Sequence, residues 1–456
     1  MRMTLLQKSL ALLTLVVLVI ATLWFTEKPL RDVSQAPVST NGLTIESWQT
    51  KNGARVLFVE APQLPMVDVR IVFDAGSARD KDKPGLASLT NAILDQGAGE
   101  WDTNTLAERF DSVGAQCSNS TARDMSVLQL RSLTEAPLLE KAINTMAAIV
   151  NKPRFEQTEL ERLRKQVLIS LKNQQQSPGQ IADKAFYQAL FHDHPYATPT
   201  LGEAETVAAI SRDDLLSFYQ QYYVGRNAVV AIVGALSKDE AKQLAEQLVG
   251  ELPKGKPAAA LPEVNALSQA EVIQNGYPST QTHILVGQPG MKRGDPDYFD
   301  LYVGNHILGG SGFSSRIMKI IRDENGLAYS AYSYFLPMRQ EGPFIMGLQT
   351  KNDSRNKALA LLDKTLSEFI EQGPSEDELA HAQMNITGGF PLRIDSNRDI
   401  VEYIAMLGFY DLPLDYLSTF NSKVNAVTVA SIKDAFARRV DPARLLTVTV
   451  GQEQSP

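Results

Sequence analysis

The chain has 456 residues and a formal net charge of −8, with 44% hydrophobic and 21% charged residues. This composition is typical of a folded globular protein and excludes a disordered one, while the length predicts two domains or more. No Lys/Arg cluster supports nucleic-acid binding, and the single cysteine, Cys117, excludes an internal disulfide and a zinc site built from four cysteines.

The N-terminus predicts export from the cytoplasm. Two basic residues precede an uncharged run of sixteen residues, Leu10 to Phe25, which is short for a membrane span and long for a signal-peptide core. The apolar run continues past a small-residue segment at 19–21, so we favour a signal anchor over a cleaved signal peptide for residues 1–26. A polar linker, residues 27–42, follows. In a bacterium this predicts a periplasmic protein, anchored to the inner membrane.

Strand and helix patterns alternate through the first half of the chain. Residues 55–59 and 67–73 are rich in β-branched and aromatic residues, which predicts two strands, and Pro84-Gly85 introduces a helix. Further strands are predicted at 126–133 and 227–234, and helices at 105–113, 136–150, 156–176, 212–222 and 238–248. The last strand follows directly on a helix.

The second half repeats this order of elements. Residues 252–268 carry three prolines and no strong periodicity, which predicts a linker. Beyond it, strands are predicted at 282–287, 342–350 and 445–451, and helices at 298–308, 357–372, 376–386 and 429–440. The repeated order predicts an α+β fold with two homologous domains, residues 43–251 and 269–456.

One segment of the second half combines glycine, arginine and tyrosine. A glycine-rich turn (Gly309, Gly310, Gly312) is expected to lead into a helix whose N-cap is Ser314 or Ser315. The spacing from glycine to lysine in a phosphate-binding loop is absent, so that interpretation is discounted.

Arg322 lies late in this predicted helix, which Asn325-Gly326 ends, and Tyr329 begins the next strand, which also carries Tyr332 and Tyr334. A helix that turns back into a strand can bring Arg322 and Tyr329 together, where a guanidinium and a hydroxyl suit a developing carbonyl oxyanion. From spacing alone an ordinary alternative stays open: Arg322 pairs with Asp323 or Glu324, and the tyrosines pack on the sheet.

Four segments carry a family resemblance: PGLASLTNAILDQGAG, NKPRFEQTELERLRKQ, HPYATPTLG and SSRIMKIIRDENGLAYSAYSY. From about residue 43 the chain resembles the pitrilysin and mitochondrial-processing-peptidase family of zinc metallopeptidases, most closely the short bacterial members that work as pairs of subunits. The resemblance implies mostly antiparallel sheets covered by helices, which form half of a clamshell chamber. It also implies that Arg322 and Tyr329, separated by six residues as in the family, hold the substrate carbonyl.

The same resemblance implies that the metal site is lost. Catalytic members carry H-x-x-E-H on the first domain's helix and a third ligand, Glu, about eighty residues further on. Ser88, Asn91 and Ala92 occupy the helix positions here, and no acid occurs between Glu161 and Asp183, where the third ligand is expected. His192 and His194 are the only close histidine pair, and the one acid beside them, Asp193, would point the other way if both shared a face of a strand.

The expected function is that of a non-zinc subunit of a heterodimeric peptidase. In this hypothesis Arg322 and Tyr329 act on a peptide or unfolded-protein substrate, Gly309, Gly310 and Gly312 line the entrance, and a homologous partner subunit supplies zinc. No cofactor is expected in this chain. Two alternatives remain open, a catalytically inert structural protein and a lone peptide-binding protein of the same fold.

Overall fold

A computed structural model describes residues 38–40 and 43–452 of the chain. The predicted anchor at 1–26 lies outside the described residues, as does most of the polar linker at 27–42. Within the described part, no helix is both long and apolar enough to cross a membrane.

The first half contains seven strands and eight α-helices among the described residues. In chain order they are β1 (Val38–Thr40), β2 (Leu43–Gln49), β3 (Arg55–Glu60), β4 (Met66–Phe73), α1 (Leu86–Ile93), α2 (Thr103–Asp111), β5 (Gln116–Thr121), β6 (Ser126–Leu133), α3 (Ala136–Asn151), α4 (Gln157–Gln174), α5 (Pro178–Phe191), α6 (Ala204–Ala209), α7 (Arg212–Tyr222), β7 (Ala228–Gly234) and α8 (Lys238–Val249).

The second half contains five strands and seven α-helices in the described residues. They are β8 (Glu271–Gly276), β9 (Gln281–Pro289), α9 (Tyr298–Asn305), α10 (Arg316–Met318), β10 (Ala328–Phe335), β11 (Pro343–Lys351), α11 (Arg355–Gln372), α12 (Glu376–Gly389), α13 (Asn397–Phe409), α14 (Tyr416–Asn425), α15 (Val429–Arg439) and β12 (Leu446–Gly451).

The two sheets share one topology. The first has the order β1-β2-β3-β7-β4-β6-β5 and the second has the order β10-β11-β9-β12-β8. Each contains one parallel pair, β3 with β7 and β8 with β12, and its other pairs are antiparallel. When β3-β7-β4-β6-β5 is aligned with β8-β12-β9-β11-β10, each of these five strands has a counterpart of the same direction, and only β1 and β2 are additional. The predicted α+β fold with two homologous, mostly antiparallel domains is therefore confirmed.

Each half of the chain contributes one helix that packs on the sheet of the other half. Helix α5 packs on β9 and β12, while α13 packs on β7, β4 and β3. Gly408 allows the α13 backbone to approach, since a Cβ there would lie 2.5 Å from Leu57 and 2.6 Å from Val229. Because β7 is buried at all seven positions, it needs cover on both faces. The exchanged helix α13 supplies part of that cover.

A buried carboxylate joins the two halves. Asp124, which lies between β5 and β6 and is 4% exposed, accepts hydrogen bonds from the hydroxyls of Tyr196 (2.6 Å) and Tyr410 (2.9 Å). It also accepts the backbone N–H of Arg339 at 2.8 Å. Arg339 lies between β10 and β11, so this carboxylate attaches that hairpin to the first half of the chain.

The proline-rich segment between the halves packs against both of them. Residues 253–267 form no regular secondary structure, yet Leu261 and Leu267 are buried. The imidazole of His194 contacts the carbonyl of Pro262 at 3.0 Å, and the side chain of Gln340 donates to the carbonyl of Leu261. The segment therefore helps to set the position of the two sheets.

Candidate functional site

The glycine-rich segment continues a helix. The helix predicted at 298–308 is α-helical only to Asn305 and continues as a π-helix over His306–Gly310. Gly309 and Gly310 therefore end a π-helix, which corrects the predicted turn at these two positions, whereas Gly312 has a φ of +62° and does form a turn. A Cβ on Gly309 would lie 2.3 Å from the Ser333 hydroxyl, so only glycine lets the π-helix approach β10 this closely.

Two hydrogen bonds hold that approach. The amide of Asn305 donates to the carbonyl of Ser333 at 3.0 Å, and the Ser333 hydroxyl donates to the Asn305 side chain at 2.7 Å. Both residues are buried. The position of strand β10 relative to the glycines is therefore determined by packing and by paired polar groups.

The helix that carries Arg322 begins and ends as the sequence predicted. Of the two candidate caps, Ser315 is the N-cap of α10, and its hydroxyl accepts the backbone N–H of Met318. The helix continues as a π-helix over Lys319–Glu324, and Gly326 with a φ of +61° ends it. Both π-helical segments of the described residues thus flank the same site, a feature that often accompanies function.

Arg322 and Tyr329 lie together, as the sequence predicted. The guanidinium carbon of Arg322 is 5.5 Å from the centre of the Tyr329 ring and 4.6 Å from that of the Phe313 ring. Both rings are largely exposed, Tyr329 at 84% and Phe313 at 67%. Within residues 43–452, Arg322 forms no ion pair, so the alternative pairing with Asp323 or Glu324 is not observed. Because the contact uses the ring face, the N–H and O–H donors remain available to a third group.

A cleft of about 720 Å³ opens beside this pair. It is lined by β10, by the π-helix at His306–Gly310 and by the following turn, so Gly309, Gly310 and Gly312 all contribute to its wall. Strand β10 is one of the two edge strands of its sheet, and the centres of its Tyr332 and Tyr334 rings lie 5.8 Å apart in a stacked arrangement. An edge strand presents unpaired backbone groups to which an extended peptide can bind.

Sequence reasoning missed several residues that line the cleft. Arg293, His306, Phe313 and Arg393 reach it from separate elements of the second half. Phe313 directly follows Gly312 in the glycine-rich segment, but no local pattern marks Arg293, His306 and Arg393, which meet at the cleft only in the folded chain.

The positions expected for two zinc ligands and the general base hold residues that do not fit a metal site. Ser88, Asn91 and Ala92 lie on α1, and Asn91 is 2% exposed. Its side-chain amide donates to the carbonyl of Val127 at 3.4 Å, while Asn119 donates to its backbone carbonyl at 2.9 Å. Asn91 occupies the position of the general base, but its neutral amide cannot take a proton from water. Ala92 occupies a ligand position and offers no ligand atom. In the described part of the chain, no cluster of three or more His, Cys, Asp and Glu could hold a metal.

The expected position of the third ligand is also apolar. Val167 and Leu168 of α4 pack into the same hydrophobic cluster as Ala92, and α4 lies against α1. The hydroxyl of Tyr223 comes close to Ser126 and Asn91, and burial raises its pKa to about 12, so it stays neutral at neutral pH. Side-chain packing and neutral groups therefore occupy the space where a metal site would need charged ligands.

The histidine pair has a structural role. The Nδ1 atom of His194 accepts the backbone N–H of Tyr196 at 3.1 Å, and its Nε2 atom contacts the carbonyl of Pro262. Burial lowers the pKa of His194. His192 is exposed and lies 3.8 Å from Glu271. Both nitrogens of His194 are engaged by the backbone, so neither is available as a metal ligand.

Comparison with known proteins gives matches over both halves. Residues 55–204 match the family described as Insulinase (Peptidase family M16), and residues 209–386 match the one described as Peptidase M16 inactive domain. The crystal structure of a peptidase M16 inactive domain from Pseudomonas fluorescens has a TM-score of 0.88 and 36% identity, covering 90% of this chain and 98% of that chain.

Two curated proteins extend the comparison. The non-peptidase homolog YmxG of Helicobacter pylori is 28% identical over 385 residues, which is 83% of this chain and 87% of that protein. Mitochondrial-processing peptidase subunit beta of Lentinula edodes is 25% identical over 394 residues, 82% of each chain.

Proposed function

This chain belongs to the M16 peptidase family, which confirms the predicted resemblance, and on that premise we propose that it is the non-zinc subunit of a heterodimeric peptidase. In this assembly a homologous partner subunit supplies the zinc and the general base. This chain supplies Arg322, Tyr329 and half of the chamber wall. The substrate is a peptide or a small unfolded protein.

One observation carries the proposal. Arg322 and Tyr329 lie side by side at the mouth of a cleft, in a chain whose zinc positions hold Ser88, Asn91 and Ala92. In a protein that had become inert, substitutions would be expected equally at the metal-site positions and at the Arg322–Tyr329 pair. Here only the metal site has been replaced, and the donors that suit an oxyanion are present together.

The chemistry follows from the geometry of these donors. Hydrolysis places negative charge on the carbonyl oxygen when water adds to the carbon, and positioned donors stabilise that charge. The Arg322 guanidinium and the Tyr329 hydroxyl donate hydrogen bonds to this oxygen. Because they contact each other through the ring face, neither loses a donor to the other.

The exposure of Tyr329 favours an assembly in which a second subunit covers this site. Tyr329 is 84% exposed, and hydrogen bonds to a developing charge stabilise it most where water is excluded. In this proposal the partner covers the pair and places its own metal opposite. The anchor predicted at 1–26 would hold the assembly at the periplasmic face of the inner membrane.

Reconstitution tests the function directly. The purified chain is expected to bind no stoichiometric zinc and to cleave no peptide alone, and activity should appear when an H-x-x-E-H homologue is added. Zinc content by atomic emission and hydrolysis of a quenched fluorescent peptide are the measurements. Activity of this chain alone, or full activity of the pair after Arg322→Ala and Tyr329→Phe, would contradict the proposal.

An inert role in a complex is the second candidate function. Its support is that the Helicobacter pylori relative carries the description non-peptidase homolog. It predicts a stable complex with a partner whose activity is unchanged by either substitution, so the same reconstitution separates the two candidates.

A further inference from the structure

The cleft beside Arg322 is cationic, although the whole chain is acidic. The net charge of the chain is −8, yet the residues that line the cleft include Arg293, Arg393 and His306 and no Asp or Glu. Arg322 adds a further cation at its mouth. A local excess of positive charge in an acidic protein creates a field that attracts anions into this cleft.

Arg393 is held in place by a neutral group. Its Nη1 atom donates to the Tyr302 hydroxyl at 2.9 Å, and no described carboxylate forms an ion pair with it. Arg316, by contrast, forms a bidentate pair with Glu378, with bonds of 2.7 and 2.6 Å. The positive charge of Arg393 is therefore oriented but not neutralised.

Arg293 leaves a donor unsatisfied. Its Nε atom is buried and has no hydrogen-bond partner among the described residues, and its guanidinium lies 5.5 Å from the centre of the Tyr410 ring. A buried donor without an acceptor destabilises the folded chain. Because Arg293 lines the cleft, an incoming carboxylate can pair with the charge of its guanidinium.

His306 adds little charge of its own at neutral pH. Burial lowers its pKa, and the neighbouring charge of Arg393 lowers it further, while a hydrogen bond from the imidazole to the side chain of Asn385 acts in the opposite direction. The cationic character of the cleft at neutral pH is therefore due to the arginines.

We propose that this cleft selects acidic peptide segments, and that Arg393 and Arg293 bind a substrate carboxylate while the peptide extends along the edge strand β10. The planar guanidinium fork matches a carboxylate better than an ammonium group would. The stacked rings of Tyr332 and Tyr334 offer a flat surface beside the peptide. As a statement about substrate class this rests on the proposed function, but the binding itself requires no partner subunit.

The carboxylate has two sources, an acidic side chain or the C-terminus of the peptide. Three fluorescein-labelled decapeptides separate them: alternating Ala and Glu, the same with Gln for Glu, and the Gln peptide with an amidated C-terminus. Fluorescence anisotropy with the full chain in mild detergent measures each Kd at low salt and at physiological salt.

The Glu peptide should bind at least about tenfold more tightly than the amidated Gln peptide, and added salt should weaken its binding. Tighter binding of the free-acid Gln peptide than of its amide would assign the site to the C-terminus. Arg393→Gln and Arg293→Gln should each weaken binding about tenfold. Arg398 is an exposed arginine that lies five positions from Arg393 and outside the cleft. The variant Arg398→Gln makes the same charge change and should bind the Glu peptide as the parent chain does.

Equal affinity for all three peptides, or equal losses in Arg393→Gln and Arg398→Gln, would overturn the proposal, as would no measurable binding. Thermal melts followed by circular dichroism establish that each variant is folded. Because no hydrolysis is measured, an acid-selective cleft could be found in a chain that never supports a peptidase. A working heterodimer could equally show no acid preference, so the two proposals fail separately.

Discussion

The guanidinium of Arg322 faces the ring of Tyr329 at 5.5 Å from its centre, so the two side chains contact each other without forming a hydrogen bond. Tyr329→Phe keeps that ring contact and removes only the hydroxyl. We expect kcat of the reconstituted pair to fall about 100-fold with little change in KM, because the hydroxyl acts on charge that develops in the transition state. Tyr277→Phe makes the same change at a tyrosine outside the cleft; it is the control and should leave kcat within about threefold. An unchanged kcat in Tyr329→Phe would remove this residue from the mechanism.

Restoring the glutamate of the zinc motif should destabilise the chain. Asn91 is buried, and its side-chain NH2 donates to the carbonyl of Val127. In Asn91→Glu a carboxylate faces that carbonyl without a cation beside it, so we expect a loss of about 1–3 kcal/mol in the free energy of unfolding. Urea denaturation measures the loss. Ser88→Ala, on the more exposed face of the same helix, should change it by less than about 0.5 kcal/mol.

Substitution of Gly408 tests whether helix α13 of the second half packs tightly on the sheet of the first half. A Cβ on Gly408 would lie 2.5 Å from Leu57 and 2.6 Å from Val229, and these side chains are buried. Gly408→Ala should therefore cost about 1–3 kcal/mol through overpacking. Gly388→Ala in α12 meets no atom within 4 Å and should stabilise the chain by about 0.5–1 kcal/mol. Equal effects in the two variants would mean that α13 does not pack tightly on the first sheet.

Substitutions of the buried carboxylate Asp124 and of its hydrogen-bond donors should have strongly non-additive effects on the free energy of unfolding. Tyr410→Phe removes one hydrogen bond and is expected to cost about 1 kcal/mol. Asp124→Ala leaves the Tyr196 and Tyr410 hydroxyls and the Arg339 N–H without their acceptor, so it should cost about 3–4 kcal/mol. Asp193→Ala, at an exposed position, is the matched control in urea denaturation. A double mutant that loses the sum of both single losses would argue against a shared network.

The ion pair between Glu378 and Arg316, which lies on the helix that carries Arg322, predicts an acid-sensitive contribution to the free energy of unfolding. Hydrogen bonds from Arg316 lower the pKa of Glu378 to about 2 from its ordinary 4.5. A depressed carboxylate pKa stabilises the fold fully above pH 4.5, and this contribution is lost as the pH falls through about 2. Because a third of the Glu378 side chain is exposed, we expect only about 1 kcal/mol. In Glu378→Gln, urea denaturation between pH 6 and pH 2.5 should show a shallower fall than in the parent; an identical fall would refute the assignment.

Local pattern was sufficient for much of the fold. β6 and α7 have the predicted bounds, and α3, α8 and β12 end within a residue of theirs, because their apolar periodicity and caps act over one or two turns. Strands β5 and β8 were not predicted, since both are edge strands in which every second residue is exposed. Helices α5 and α13 were also missed. Their apolar faces are explained by the sheet of the opposite half, which no local window includes.

The sequence by itself determined the family, the duplicated order of elements and the absence of histidine and glutamate at the expected metal-site positions, since each is recorded in short segments or in residue identity. That Arg322 lies against Tyr329, rather than pairing with Asp323 or Glu324, was decided by the folded structure. The tertiary structure alone decided that Arg293 and Arg393 share a cleft free of carboxylates, and that Asp124 connects the halves. Those features depend on contacts between residues far apart in the chain, and the field in a cleft is the sum of charges brought together only by folding.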